Sequence, residues 1–179
     1  MSGEVNHKDI QAIFRGFDRR WPIGRFFYLR YESSSSGHKL LDWLREKCGG
    51  SLTSYSDLDE YPDVCVNAAF TYWGLSVLGL TPEVLQSFPG DFRQGMARRA
   101  ELLGDEGPSA PENWEEMWRD NRGIHLWIGV YARSEEKLEE WDQALRTAID
   151  RFAERYVGNE VHFESVEQPE VRFSSFMRD

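Results

Sequence analysis

The sequence predicts one α+β domain spanning residues 1–179, and three observations carry that prediction. Short aromatic or β-branched runs of strand length alternate with stretches whose apolar residues recur every three or four positions. Small polar residues precede the helical stretches and glycines follow them, as helix caps require. The chain has 179 residues with 40% hydrophobic content, which suits one core and is short for two domains.

The first strand is expected over Arg25–Tyr31, a short aromatic run preceded by Pro22 and Gly24. Ser33–Ser36 offer caps for a helix carrying Leu40, Leu41, Leu44 and Cys48, which Gly49-Gly50 ends. After an aspartate-rich loop from about Ser51 to Asp63, Val64–Phe70 reads as a second strand. It runs into a short helix over Tyr72–Leu78, closed by Gly79 and Pro82. From about Thr81 to Asn121 four prolines punctuate a long excursion, in which one short helix is expected over Asp91–Leu103. Excursions of that length in a compact domain are usually functional or interface-forming.

Ile124–Ala132 is the next strand. Ser134 caps the following helix, and Glu135 and Glu136 suit its positive end. Leu138, Trp141, Leu145, Ile149, Phe152 and Tyr156 mark its buried face, Gly158-Asn159 ends it, and Val161–Val166 is the final strand.

The order is β-α-β, a helix and long excursion, then β-α-β. That is the ferredoxin-like split βαβ arrangement: an antiparallel sheet with helices on one face and the excursion between the second and third strands. A sheet covered on one face normally alternates apolar and polar residues. Here it does not. Ile124, Leu126, Ile128 and Val130 oppose His125, Trp127, Gly129 and Tyr131, and Phe27, Leu29 and Tyr31 oppose Phe26, Tyr28 and Arg30. A sheet apolar on both faces needs a second cover, from the excursion, a second copy of the chain or another domain.

Composition narrows function. A net charge of -10 argues against nucleic acid or an anionic membrane as main partner. The polar amino terminus has no apolar signal core, and no apolar stretch approaches the ~20 residues that span a bilayer; a cytoplasmic protein is expected. Cys48 and Cys65 read as buried, reduced thiols. His7, His38, His125 and His162 show no ligand spacing, so no metal site is expected. No nucleophile elbow or phosphate loop is present. Asp57, Asp59, Glu60 and Asp63, and again Glu112, Glu115 and Glu116, read as solvated acidic loops. Arg122-Gly123 precedes an aromatic strand as in RNA recognition motifs, but the residues that follow break that pattern. Arg93, Arg98 and Arg99 read either as local ion-pair partners of Asp91 and Glu101 or as a cluster able to hold a carboxylate, such as a cofactor propionate.

Three collinear runs add a resemblance: Val66–Leu80 (VNAAFTYWGLSVLGL), Ser87–Asp105 (SFPGDFRQGMARRAELLGD) and Ser109–Trp114 (SAPENW). With the opening Asp9–Gly16 (DIQAIFRG), they resemble in order the amino-terminal half of the dye-decolourising haem peroxidases. The serine-rich start of the first helix and the Trp118–Arg122 stretch are less typical. The resemblance implies two ferredoxin-like domains with facing sheets. It implies haem, H2O2-dependent oxidation of organic substrates, a proximal histidine, and a distal aspartate and arginine. The distal aspartate belongs to a Gly-x-x-Asp-Gly motif just after the first domain. Arg178-Asp179 match the middle of that motif, so Asp179 is the candidate catalytic residue; Phe176 stands in place of the first glycine and the second is absent. No position matches the proximal histidine or distal arginine. The resemblance therefore implies the first, non-ligating half of such a peroxidase, with haem not bound by this chain alone. Its partner would be a second ferredoxin-like domain, or a second copy through the open sheet face. The alternative is a catalytically inactive ferredoxin-like binding or dimerisation module.

Overall fold

Among the described residues, three seven-residue strands build the sheet in the order β1-β3-β2, every neighbour antiparallel. They are β1 (Ile23–Leu29), β2 (Val64–Phe70) and β3 (Leu126–Ala132). The computed structural model describes residues 6, 8, 10–12, 21–49, 52–56, 61–120 and 122–152. The expected strand at Val161–Val166 and the candidate Asp179 lie outside the described residues.

The register decides which side chains share a face. Arg25, Phe27 and Leu29 stand beside Val130, Ile128 and Leu126. Val66, Ala68 and Phe70 flank the same three residues from β2. Two long helices cover this face: α1 (Ser34–Lys47) and α7 (Glu135–Phe152). Leu40 and Leu44 from α1, and Leu138, Trp141, Leu145 and Ile149 from α7, join the strands in one core. Burying each such side chain is worth about 1.5–3 kcal/mol relative to exposure.

Local chemistry sets the helix ends. Ser33 and Ser36 form a reciprocal capping box at the start of α1, and Cys48 closes its end. Burial pushes the Cys48 thiol up to about 11, against a lowering by Lys47, so it stays a thiol at neutral pH. Thr71 caps α2 (Tyr72–Leu78), and Gly79 ends it in the left-handed conformation (φ 97°) that glycine tolerates.

Two expectations are corrected at strand ends. β1 begins at Ile23, two residues before the expected Arg25, because Gly24 pairs in register with Tyr131. It stops at Leu29 because the Tyr31 N–H leaves the ladder to donate to His125 Nδ1 at 3.2 Å. β3 starts at Leu126 rather than Ile124. A third correction lies in the excursion. The single helix expected over Asp91–Leu103 is α4 (Gly90–Gln94), a 3-10 turn at Ala97–Arg99 and α5 (Ala100–Leu103). Gly95, at φ 71° and ψ -178°, breaks it. α3 (Pro82–Ser87), capped by Thr81, 3-10 turns at Gly107–Ser109 and Pro111–Asn113, and α6 (Glu116–Arg119) complete the excursion and were not expected.

The outer edge of β2 is blunted by a side chain. The Gln11 amide donates to the Ala68 carbonyl at 2.9 Å and accepts from the Ala68 N–H at 2.8 Å, occupying a ladder position that another strand would take.

Candidate functional site

The sheet face opposite α1 and α7 is paved with aromatic rings. Phe26 meets Trp127 edge-on at 5.1 Å and Tyr131 at 5.8 Å. The Trp127 ring lies across Gly129, where an added Cβ would stand 2.6 Å from it. Phe26, Tyr28, Trp127 and Tyr131 are half-buried. Burial holds the Tyr28 hydroxyl above the usual range and pushes Tyr131 up to about 12, with Cys65 and Tyr28 adding to the shift. Both rings therefore stay neutral at physiological pH.

The chain covers part of this face itself, and the excursion, one of the three expected covers, supplies one end of that cover. At one end, Ala12 and Trp21 pack with Cys65, Tyr61 and Tyr131, and the Trp21 indole donates to the Pro62 carbonyl at 2.9 Å. At the other end the excursion lays Trp118 edge-on against Tyr28 at 4.9 Å. Phe26 and its neighbours lie between these covers.

Under the Trp118 end is a pocket of about 960 Å3. Its floor is Tyr28 and Trp127 from the sheet, and its walls include Phe92, Trp73, Met117 and Trp118. Such a volume and apolar lining are those of small-molecule sites. All three residues of the predicted basic cluster, Arg93, Arg98 and Arg99, reach the rim. The ion-pair reading holds for Arg99, which meets Asp91 at 3.5 Å. The sequence reading missed Arg122, whose guanidinium lies 4.5 Å over the Trp73 ring. Its place just before the aromatic β3 strand was the available signal.

One junction of hydrogen bonds positions α2, and with it Tyr72 and Trp73 of the pocket wall. Thr71 donates through its N–H to the His125 carbonyl at 3.1 Å and through its hydroxyl to the Ile124 carbonyl at 2.7 Å. The Tyr31 hydroxyl donates to the Gly74 carbonyl at 2.5 Å. His125 accepts at Nδ1, so its neutral ring carries the proton on Nε2. It is 3% exposed and serves as the structural histidine expected from the sequence.

The other sequence candidates are dispersed. His38 is exposed on α1, its Nδ1 2.7 Å from the Ser34 carbonyl. Asp63 pairs with Arg133 at 3.6 Å, and Asp57, Asp59, Glu60, His7 and His162 lie outside the described residues. Glu115 lines the pocket, while Glu112 and Glu116 do not. Among the described residues no three His, Cys, Asp or Glu side chains cluster to hold a metal ion. The described pocket lining contains no imidazole or thiol, so the residues present do not supply haem iron with an axial ligand of those kinds. No helix among the described residues is long and apolar enough to cross a membrane.

Comparison with known proteins places this architecture. The family described as the DyP dimeric alpha+beta barrel domain matches residues 44–161. A decolorizing peroxidase (DyP) from Auricularia auricula-judae superposes with a TM-score of 0.70 at 18% identity, over 88% of this chain and 33% of its own. A dye-decolorizing peroxidase engineered in its heme pocket for asymmetric sulfoxidation gives 0.71 at 17% identity, over 88% and 33%. A dye-decolorizing peroxidase in complex with 2,6-dimethoxyphenol gives 0.66 at 18% identity, over 89% and 34%. The chain thus spans about a third of the length of the structures it matches, and identities this low show a shared fold. No curated protein matches the chain.

Proposed function

The chain belongs to the family of the DyP dimeric alpha+beta barrel domain, and from that premise we propose that it forms the first, non-ligating domain of a haem peroxidase. H2O2-dependent oxidation of organic substrates would then require a second ferredoxin-like domain set against the sheet face opposite α1 and α7. The observation that carries this reading is the aromatic pavement of Phe26, Tyr28, Trp127 and Tyr131, half-buried on a sheet face that no long helix among the described residues covers. Contiguous apolar surface of this kind marks an interaction site. The described pocket lining offers no imidazole or thiol, which supports a reading in which iron ligation falls to the second domain. In that arrangement haem supplies the redox chemistry, and this chain's residues exclude water and shape the wall. Asp179 is kept as the proposed distal acid, since its match to the family motif is its sole support.

The test is a visible spectrum of the purified 179-residue chain with one equivalent of haem, followed by peroxide and a phenolic substrate. The expected result is the spectrum of unligated haem and oxidation no faster than haem alone. A Soret band shifted by protein ligation, with peroxide turnover above that blank, would show that these residues build a working centre and would overturn the proposal.

A further inference from the structure

Among the described residues, two guanidinium groups on the pocket rim have no acidic partner. Arg99 is engaged by Asp91 and Arg122 is stacked on Trp73. Arg93 and Arg98 are exposed at the same rim, and among the described residues no carboxylate lies within ion-pair distance of either. The remaining acids of the lining are already engaged: Asp120 Oδ1 accepts from the Arg122 N–H at 3.0 Å, and Glu115 has a partner of its own. In a chain of net charge -10, this is a local reversal of sign placed over an apolar cavity.

The geometry points to a binding site for a planar aromatic carboxylate, its ring system on Tyr28, Trp118, Trp127 and Phe92 and its anion on Arg93 and Arg98. Aromatic walls favour a flat ring, which meets them stacked or edge-on. A guanidinium offers paired N–H donors that match the two oxygens of a carboxylate. A volume of about 960 Å3 admits a bicyclic ligand. The site uses side chains of this chain alone and needs neither haem nor a second domain.

Isothermal titration calorimetry of the full chain, without haem or peroxide, tests it with three probes: 2-naphthoate, its neutral counterpart 2-naphthalenemethanol, and inorganic phosphate. The acid is expected to bind at one site, the alcohol about tenfold more weakly for loss of a charge-assisted bond, and phosphate not measurably. The double variant Arg93→Gln/Arg98→Gln should weaken naphthoate binding about tenfold and leave the alcohol unchanged. Both residues are exposed, so the fold should persist. Trp118→Ala should weaken both aromatic probes. Equal binding of acid and alcohol, phosphate binding as tight as naphthoate, an unaffected arginine variant, or no binding of naphthoate would each overturn the assignment. Because haem is absent throughout, the outcome is separable from that of the peroxidase test.

Discussion

Gly74→Ala is expected to cost about 3 kcal/mol of stability, at the upper end of what overpacking does. The reason is a backbone contact. A Cβ at position 74 would stand 2.0 Å from the His125 carbonyl oxygen and 2.7 Å from its carbonyl carbon. Neither atom can swing away as a side chain would, because the same oxygen accepts the Thr71 N–H and the His125 N–H is held by Leu29. Relief requires α2 to lift off the end of the sheet. That lift breaks the Thr71–His125 bond and the bond from Tyr31 to the Gly74 carbonyl. For a domain of this size the change corresponds to a fall in Tm of roughly 10 °C. Thermal unfolding followed by circular dichroism measures it. A Tm equal to that of the parent would mean that α2 does not rest on His125.

Asp142→Ala should cost on the order of 3–5 kcal/mol, because it leaves a buried cation without its counter-charge. Asp142 lies on the core face of α7 and is 4% exposed. Its Oδ1 is 2.6 Å from Arg25 Nη1 and its Oδ2 is 2.6 Å from Arg146 Nε. Arg25 sits mid-strand on the helix-covered face at 9% exposure, with the half-exposed Glu139 farther away at 3.5 Å. Replacing both partners, as Arg25→Met with Asp142→Leu, should recover most of the loss, since a buried pair contributes little net stability over apolar residues. The pH dependence follows from the same geometry. Burial alone would raise the Asp142 pKa, but the bonds and charges of Arg146 and Arg25 outweigh it and hold the carboxyl below its usual range. Its contribution is thus present above the unfolded-state value of about 3.9 and is lost as pH falls through the lower native value. Urea unfolding at neutral pH and in acid checks both statements: the variant should lose most at neutral pH and converge on the parent in strong acid.

These two positions show where sequence reading stopped. The three described strands were legible as short aromatic or β-branched runs between turn residues, and both long helices from apolar residues three and four apart, as along Leu138–Ile149. The capping serine and the stop at Gly79 were legible for the same local reason. Asp142 falls inside the apolar stripe of α7, four residues after Leu138 and three before Leu145. An acid there signals a buried partner, but only the register of β1 against β3 and the packing of α7 select Arg25. Gly74 reads as an unremarkable residue in a short helix until the chain brings His125 against it from fifty-one residues away. The pocket is tertiary throughout. Arg93, Arg98 and Arg99 were identified as a group from their spacing, yet Arg122 was not, and the floor comes from strands at Tyr28 and Trp127 that are distant in sequence. The excursion defeated the reading because Gly95 broke the expected helix into short turns with no period long enough to count.

The central claim is that the aromatic sheet face is built to be covered, and solution mass against concentration tests it most directly. Sedimentation velocity on the isolated 179-residue chain should show self-association through that face. Phe26→Glu, which sets a charge among Trp127 and Tyr131, should return the chain to monomer while its circular dichroism stays that of the parent. A parent chain that remains monomeric at every concentration, with Phe26→Glu indistinguishable from it, would contradict the claim and leave the pavement as ordinary wet surface.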